Sequence, residues 1–158
     1  MYQRILVPLD GSKVGEAALP YIEDLFSKIK PEVKVEVTML QVVSSLTHYV
    51  VAGEASVPVP YTDNEIEALK KRAFDYLKQA GELLKGKGAV VKTRVSIGRA
   101  ADEIIKAAEE TKADLIAMST HGRSGISRWA FGSVTDKVLQ AGVVPILTVR
   151  APKETKNT

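Results

Sequence analysis

The chain has 158 residues, 22 Lys and Arg against 19 Asp and Glu, a net charge of +3, and 45% hydrophobic and 26% charged residues. This is the composition of a soluble globular domain large enough to bury a sizeable core. It carries no cysteine and two histidines, which excludes disulfides, thiolate catalysis and cysteine metal sites and argues against a histidine-rich one. The interspersed charges describe a mixed surface rather than a nucleic-acid stripe. No apolar stretch is long enough to cross a bilayer, and the Met1 to Pro8 start lacks a signal-peptide layout. The expectation is a cytoplasmic protein without membrane or nucleic-acid partners, with residues 1–150 as a single α/β domain and 151–158 as a frayed tail.

Arg4 to Leu9 is a short apolar run suited to a central strand covered on both faces, and Asp10-Gly11-Ser12 then turns the chain. A helix follows, with Ala17, Ala18, Tyr21, Ile22, Leu25 and Ile29 at helical spacing. Pro20 inside that pattern demands a bend or a late helix start. Val33 to Val43 alternates and then becomes apolar throughout, as a strand would. Residues 44–64 have no clear period and hold two prolines; they read as a long loop, a flap beside a ligand, with His48 solvated. Thr62 and Glu65 have capping-box spacing ahead of a long helix lined by Ile66, Leu69, Ala73, Tyr76, Leu77, Ala80 and Leu84.

Gly81 to Gly88 matches G-x-x-x-x-G-K but ends a helix and offers Gly where a phosphate loop needs Ser or Thr, so it reads as a helix C-cap. Ala89 to Ile97 is a third strand, and Gly98-Arg99 leads into a helix with Ala101, Ile104, Ile105 and Ala108 inward. Leu115 to Met118 is a buried fourth strand, which breaks into a loop rich in Gly, Ser and Arg. A helix starts at Ser133, where Ser133 and Asp136 have capping-box spacing. Val143 to Val149 is the last strand.

Five strands alternating with helices call for an open parallel sheet with right-handed crossovers, helices on both faces and strand order 3-2-1-4-5. The switch point then lies between strands 1 and 4, and ligands bind at the carboxyl ends there. Asp10 and Ser119 meet at that point. A strand, a glycine-bearing loop and a helix N-terminus in succession favour an anion, phosphate above all. An ordinary βα connection also uses Gly and Ser, and Asp10 before Gly11 is also a turn former. His121 either bonds a phosphate or caps the loop. Arg123, next to Gly122, is a better phosphate ligand than Arg128, and Trp129 with Phe131 reads as packing under the loop.

The spacing Ser119-Thr-His-Gly122, nine residues, then Gly132-Ser133-Val-Thr resembles the nucleotide-binding signature of the universal stress protein family, G-x-x-G, nine residues, G-S/T. Similarity extends to Ile5-Leu-Val-Pro-Leu-Asp10-Gly-Ser, to the strand ending Gln41-Val42 and to Val144-Pro-Ile-Leu-Thr-Val149. The resemblance implies an adenine-nucleotide-binding, dimeric, cytoplasmic stress-response protein. It places Asp10 on ribose or adenine, Val42 along the adenine slot, and Gly122, Arg123, Gly132, Ser133, Val134 and Thr135 on the phosphates, with Pro8, Leu9, Met118, Ser119 and His121 completing the site. One departure stands out: the first motif glycine is Ser119. If that glycine serves close backbone approach, a Cβ narrows the site and Ser119→Gly is expected to tighten ATP binding.

Hydrolysis of a phosphoanhydride needs a positioned water and normally a well-held metal. Asp10 is the one obvious carboxylate expected at the site, so fast turnover is not expected. The first reading is therefore an ATP-binding regulator, with or without Mg²⁺. The alternatives are a slow ATPase or phosphotransferase using Asp10 and Mg²⁺, and a dimeric interaction protein of this fold that binds no nucleotide. The homodimer is expected through the last strand, Val143 to Val149, an apolar edge open to an antiparallel copy of itself.

Overall fold

The computed structural model describes residues 2–29, 32–120 and 132–151. Outside these lie the tail beyond Ala151 and the candidates His121, Gly122, Arg123, Arg128, Trp129 and Phe131.

Strand β1 (Arg4–Leu9) runs through Asp10 and Gly11 into a 3₁₀ turn (Gly15–Ala18) and helix α1 (Leu19–Ser27). Pro20 falls in the first turn of α1, where its missing N–H forfeits no intrahelical bond, so the helix starts late. Ile22 is fully buried, whereas Tyr21 is exposed, so the inner face of α1 is narrower than its apolar pattern suggests. Strand β2 (Glu36–Val43) begins later than the alternation from Val33 implies.

Residues 44–64 depart from the expected loop. They form an antiparallel hairpin of β3 (Thr47–Ala52) and β4 (Ala55–Pro60), closed by Gly53-Glu54 with Gly53 at φ 69°. A glycine at positive φ in the first turn position suits a two-residue hairpin loop. His48 is half-buried rather than solvated, its ring centroid 4.7 Å from that of Tyr61.

Helix α2 (Asp63–Gly86) opens on the expected capping box. Glu65 N–H donates to Thr62 Oγ1 (3.3 Å) and Thr62 N–H to Glu65 Oε2 (2.7 Å). The Thr62 backbone N–H, then its hydroxyl and the charge of His48, hold the Glu65 carboxyl below its ordinary 4.5. A carboxylate with a lowered folded-state value stabilises above its unfolded value and loses that contribution as pH falls through the folded one. Acidification below pH 4.5 is therefore expected to fray the start of α2. Far-ultraviolet circular dichroism should show the loss in the unmodified chain, and Glu65→Gln, which removes the titrating carboxylate, should flatten its pH dependence.

The helix ends where Gly81 to Gly88 was read as a C-cap: Lys87 N–H donates to Leu84 O, and Gly88 follows at φ 91°. Gly81 has a packing role, since a Cβ there would sit 2.7 Å from Val91 Cγ1. Its absence lets α2 close onto β5 (Val90–Ile97).

Helix α3 (Ala100–Glu110), β6 (Leu115–Thr120), α4 (Ser133–Ala141) and β7 (Ile146–Arg150) complete the described elements. The five-stranded sheet has the order β5-β2-β1-β6-β7 and is parallel throughout. Counted along its own strands this is 3-2-1-4-5, with β3 and β4 forming a separate sheet. Strand alternation divides the core. Ile5, Val7, Leu9, Met39, Leu115 and Ala117 pack against α1 and α2. Leu6, Leu40, Ile116 and Met118 pack against α3 and α4 through Ile104 and Val138. No helix among the described residues is long and apolar enough to cross a membrane.

Candidate functional site at the carboxyl edge of the sheet

Strands β1 and β6 are neighbours but do not stay paired. Their register covers only Ile5↔Leu115 and Leu6↔Ile116, while β1 pairs with β2 from Arg4 to Leu9. The carboxyl halves of β1 and β6 therefore part at the point where the strand order reverses. Open α/β sheets bind their ligands at such a switch point.

On one side of it, Asp10 is exposed and fixed by its own turn. Its Oδ1 accepts from Ser12 N–H (2.9 Å) and Ser12 Oγ (2.6 Å). Gly11, at φ 85°, supplies the left-handed residue that this turn needs. Gly15 closes over the carboxylate, and a Cβ at Gly15 would collide with Asp10 Oδ1. Asp10 is thus a turn former, and its exposed carboxylate is also held in one orientation at the carboxyl end of β1.

Ser119 is tied into the same network. Its hydroxyl donates to Gly15 O (2.8 Å) and accepts from Ala18 N–H (2.9 Å). Gly15 N–H in turn donates to Ser12 Oγ (3.0 Å), which donates to Asp10. A continuous hydrogen-bond chain therefore joins the end of β6 to the Asp10 carboxylate. Ser119 shares its strand face with Leu115 and Ala117, so its side chain turns toward the 3₁₀ turn and α1, away from the face packed by α3 and α4.

Beside this network Tyr76 OH donates to Glu16 Oε1 (3.0 Å). Burial above all pushes the Tyr76 phenol above its ordinary range; the hydrogen bond to Glu16 and the charges of Glu16 and Asp10 add to the shift. Sequence periodicity places Tyr76 on the inner face of α2 but carries no sign that its hydroxyl reaches this cluster.

On the other side, α4 opens differently from its expected capping box. The N-cap is Gly132, at φ −64° and ψ 157°, and no side chain among the described residues caps the helix. Ser133 is the first helical residue, so the Ser133-Asp136 spacing is displaced by one position from the register a box requires. Asp136 N–H bonds back to Gly132 O, and a Cβ on Gly132 meets nothing within 4 Å among the described residues. The first-turn N–H groups, which lack acceptors within any helix, find no side-chain cap among the described residues.

The remaining candidates take different positions. Leu9 and Met118 are buried in the two halves of the core, and Thr135 is buried in α4. Val42 and Val134 are half-buried against the core on the α3 and α4 side, Pro8 is half-buried in β1, and Ser133 is exposed.

An open parallel sheet with helices on both faces, its strand order reversing between β1 and β6, defines an α/β domain of the doubly wound class. Residues 1–150 match the universal stress protein family, and the chain belongs to that family. It is 33% identical over 155 residues to universal stress protein MJ0531 of Methanocaldococcus jannaschii, covering 98% of this chain and 85% of that one. Among solved structures it is similar to MJ0577 of the same organism, with 26% identity, a TM-score of 0.71 and coverage of 97% and 99%. It also shares the fold of the universal stress protein of Archaeoglobus fulgidus in complex with dAMP, at 18% identity and a TM-score of 0.60, covering 93% and 97% of the chains.

Proposed function

We propose that this universal stress protein binds an adenine nucleotide, ATP in the first instance, at the switch point between β1 and β6, and acts as a dimeric regulator whose bound state is the signal. The observation that carries the reading is the start of α4. Gly132 presents backbone without a Cβ, and the following N–H groups have no side-chain cap among the described residues, at the end of the segment that follows β6. Asp10, held at the opposite lip, suits a ribose hydroxyl better than a phosphate, because carboxylate and phosphate repel. The dAMP bound by the Archaeoglobus relative supports the choice of adenine nucleotide.

Three or four charge-assisted contacts contribute about 1.5 to 3 kcal/mol each. Less several kcal/mol for association, this gives a dissociation constant of about micromolar. Calorimetry on nucleotide-stripped protein with ATP, ADP and AMP, with and without Mg²⁺, tests the reading, and absence of heat near millimolar nucleotide refutes it. Release of ADP during prolonged incubation would instead favour the slow ATPase.

The proposed dimer forms through β7. Ile116 N–H donates to Pro145 O and Ala151 N–H to Thr120 O, so the odd-numbered residues face β6. Pro145 therefore lacks a donor on the inner side and leaves the outer edge, which Ile146 and Thr148 supply, unblocked. Pairing of β7 with its own copy by itself makes a dimer, so the unmodified protein is expected at a mass of at least twice 17.1 kDa. Thr148→Pro removes an outward donor without breaking the ladder to β6, so light scattering should show a lower mass with circular dichroism unchanged. A monomeric unmodified protein would refute the edge pairing.

A further inference from the structure

The hairpin of β3 and β4 presents two chemically different edges. Its register pairs Ala52 with Ala55 across the turn, and Tyr61 N–H donates to Leu46 O at the open end. Hydrogen-bonded pairs therefore alternate through Val50↔Val57 and His48↔Val59, and the backbone groups of Thr47, Tyr49 and Val51 point outward from β3. On β4 the outward positions are Ser56, Pro58 and Pro60. Two of these three have no N–H, so the β4 edge is closed to strand pairing while the β3 edge is open.

The open edge is apolar and without charged side chains. Strand β3, Thr-His-Tyr-Val-Val-Ala, holds no Asp, Glu, Lys or Arg in a chain that is 26% charged. Tyr49 is 72% exposed and Val51 77%. A two-stranded hairpin is marginal in water unless further strands or packing support it.

We propose that this edge binds a second copy of the chain: β3 pairs antiparallel with the second copy's β3 across a two-fold axis at Tyr49, making one four-stranded sheet from two hairpins. In that register Tyr49 exchanges both backbone bonds with its counterpart, Thr47 lies opposite Val51, and His48 lies opposite Val50. The Thr47 carbonyl already accepts from Ser45 Oγ (3.0 Å) and keeps a second lone pair for the Val51 N–H. Tyr49, on the axis, is the position that faces its own copy, where a charge would meet a like charge, and the pairs Thr47–Val51 and His48–Val50 hold no Asp, Glu, Lys or Arg. A second copy of β3 therefore meets this edge without charge repulsion, whereas a charged foreign strand finds no complementary charge on it. The two tyrosine rings meet across the axis, where aromatic pairs contribute to cross-strand stability.

The chain has no cysteine, so single-cysteine variants report the register directly. Under mild oxidation Tyr49→Cys is expected to form a covalent dimer, because facing Cα atoms of a hydrogen-bonded pair lie about 5.5 Å apart, within disulfide reach. Val51→Cys and Ser56→Cys should not crosslink, since the two Val51 Cα atoms would be about 13 Å apart. No crosslink at Tyr49 in a variant with native circular dichroism, or equal crosslinking at all three positions, overturns the proposal.

Light scattering separates this contact from the one placed on β7. The unmodified chain should exceed a dimer, Thr148→Pro should retain a mass near twice 17.1 kDa, and Thr148→Pro with Tyr49→Pro should give the monomer. Tyr49→Pro removes only an outward N–H, leaving the ladder within the hairpin intact. If Thr148→Pro alone is monomeric, the β3 pairing is wrong. If Thr148→Pro changes nothing while Tyr49→Pro alone gives the monomer, β3 pairing stands and the β7 dimer fails.

Discussion

Gly132→Val is expected to weaken nucleotide binding at least a hundredfold while leaving the protein folded. The backbone of Gly132, at φ −64° and ψ 157°, is open to any residue, and a Cβ there meets nothing within 4 Å among the described residues. Valine is a poorer N-cap than glycine, and the expected cost to stability is about 1 kcal/mol or less. A phosphate seated on the first turn of α4 must approach this backbone closely, and a branched side chain holds it away. Loss of two charge-assisted contacts at about 1.5 to 3 kcal/mol each corresponds to about 10² to 10⁴ in affinity. Calorimetry measures the binding and thermal melting the fold. Unchanged affinity in a folded variant would mean that the phosphates do not lie at Gly132.

Ser119→Gly is expected to destabilise the protein and to loosen, rather than tighten, nucleotide binding. The substitution restores the glycine of the family signature, and by sequence alone it would widen the site. The side chain it removes, however, points to the 3₁₀ turn, where it holds Gly15 O and Ala18 N–H. Leaving such a donor without a partner costs about 1 to 3 kcal/mol, and a glycine within a strand adds about 0.5 to 1 kcal/mol. The chain through Gly15 and Ser12 then loses its anchor, so the Asp10 carboxylate is less restrained. A fall in the urea midpoint together with several-fold weaker ATP binding is the expected pair of results. Ser119→Ala, which keeps the Cβ, should reproduce both. Tighter binding in Ser119→Gly but not in Ser119→Ala would show that the Cβ itself obstructs the ligand.

Much of this architecture is written in local chemistry. Alternation of buried strands with amphipathic helices fixes a parallel sheet, and the handedness of crossovers then leaves few strand orders. The order 3-2-1-4-5, and with it the meeting of β1 and β6, follows from residues read one segment at a time. The Thr62 and Glu65 cap and the C-cap before Gly88 were legible for the same reason, because each is a contact between residues a few positions apart.

What the tertiary structure alone decided lies elsewhere. The hairpin escaped because neither of its faces is deeply buried: without a buried face there is no polar and apolar alternation to read. Pro58 and Pro60 look like strand breakers until the register shows that their missing donors point outward. The start of α4 shows how little separates a capping box from its neighbour, since Ser133 has the right residue three positions on but enters the helix itself, leaving Gly132 at the cap. Ser119 is the clearest case. Its partner Gly15 is 104 positions away in sequence, and only the winding of β6 beside β1 brings its hydroxyl to the turn that orients Asp10. Local sequence determines which backbone groups a segment can satisfy by itself, and long-range packing decides which side chain satisfies the rest.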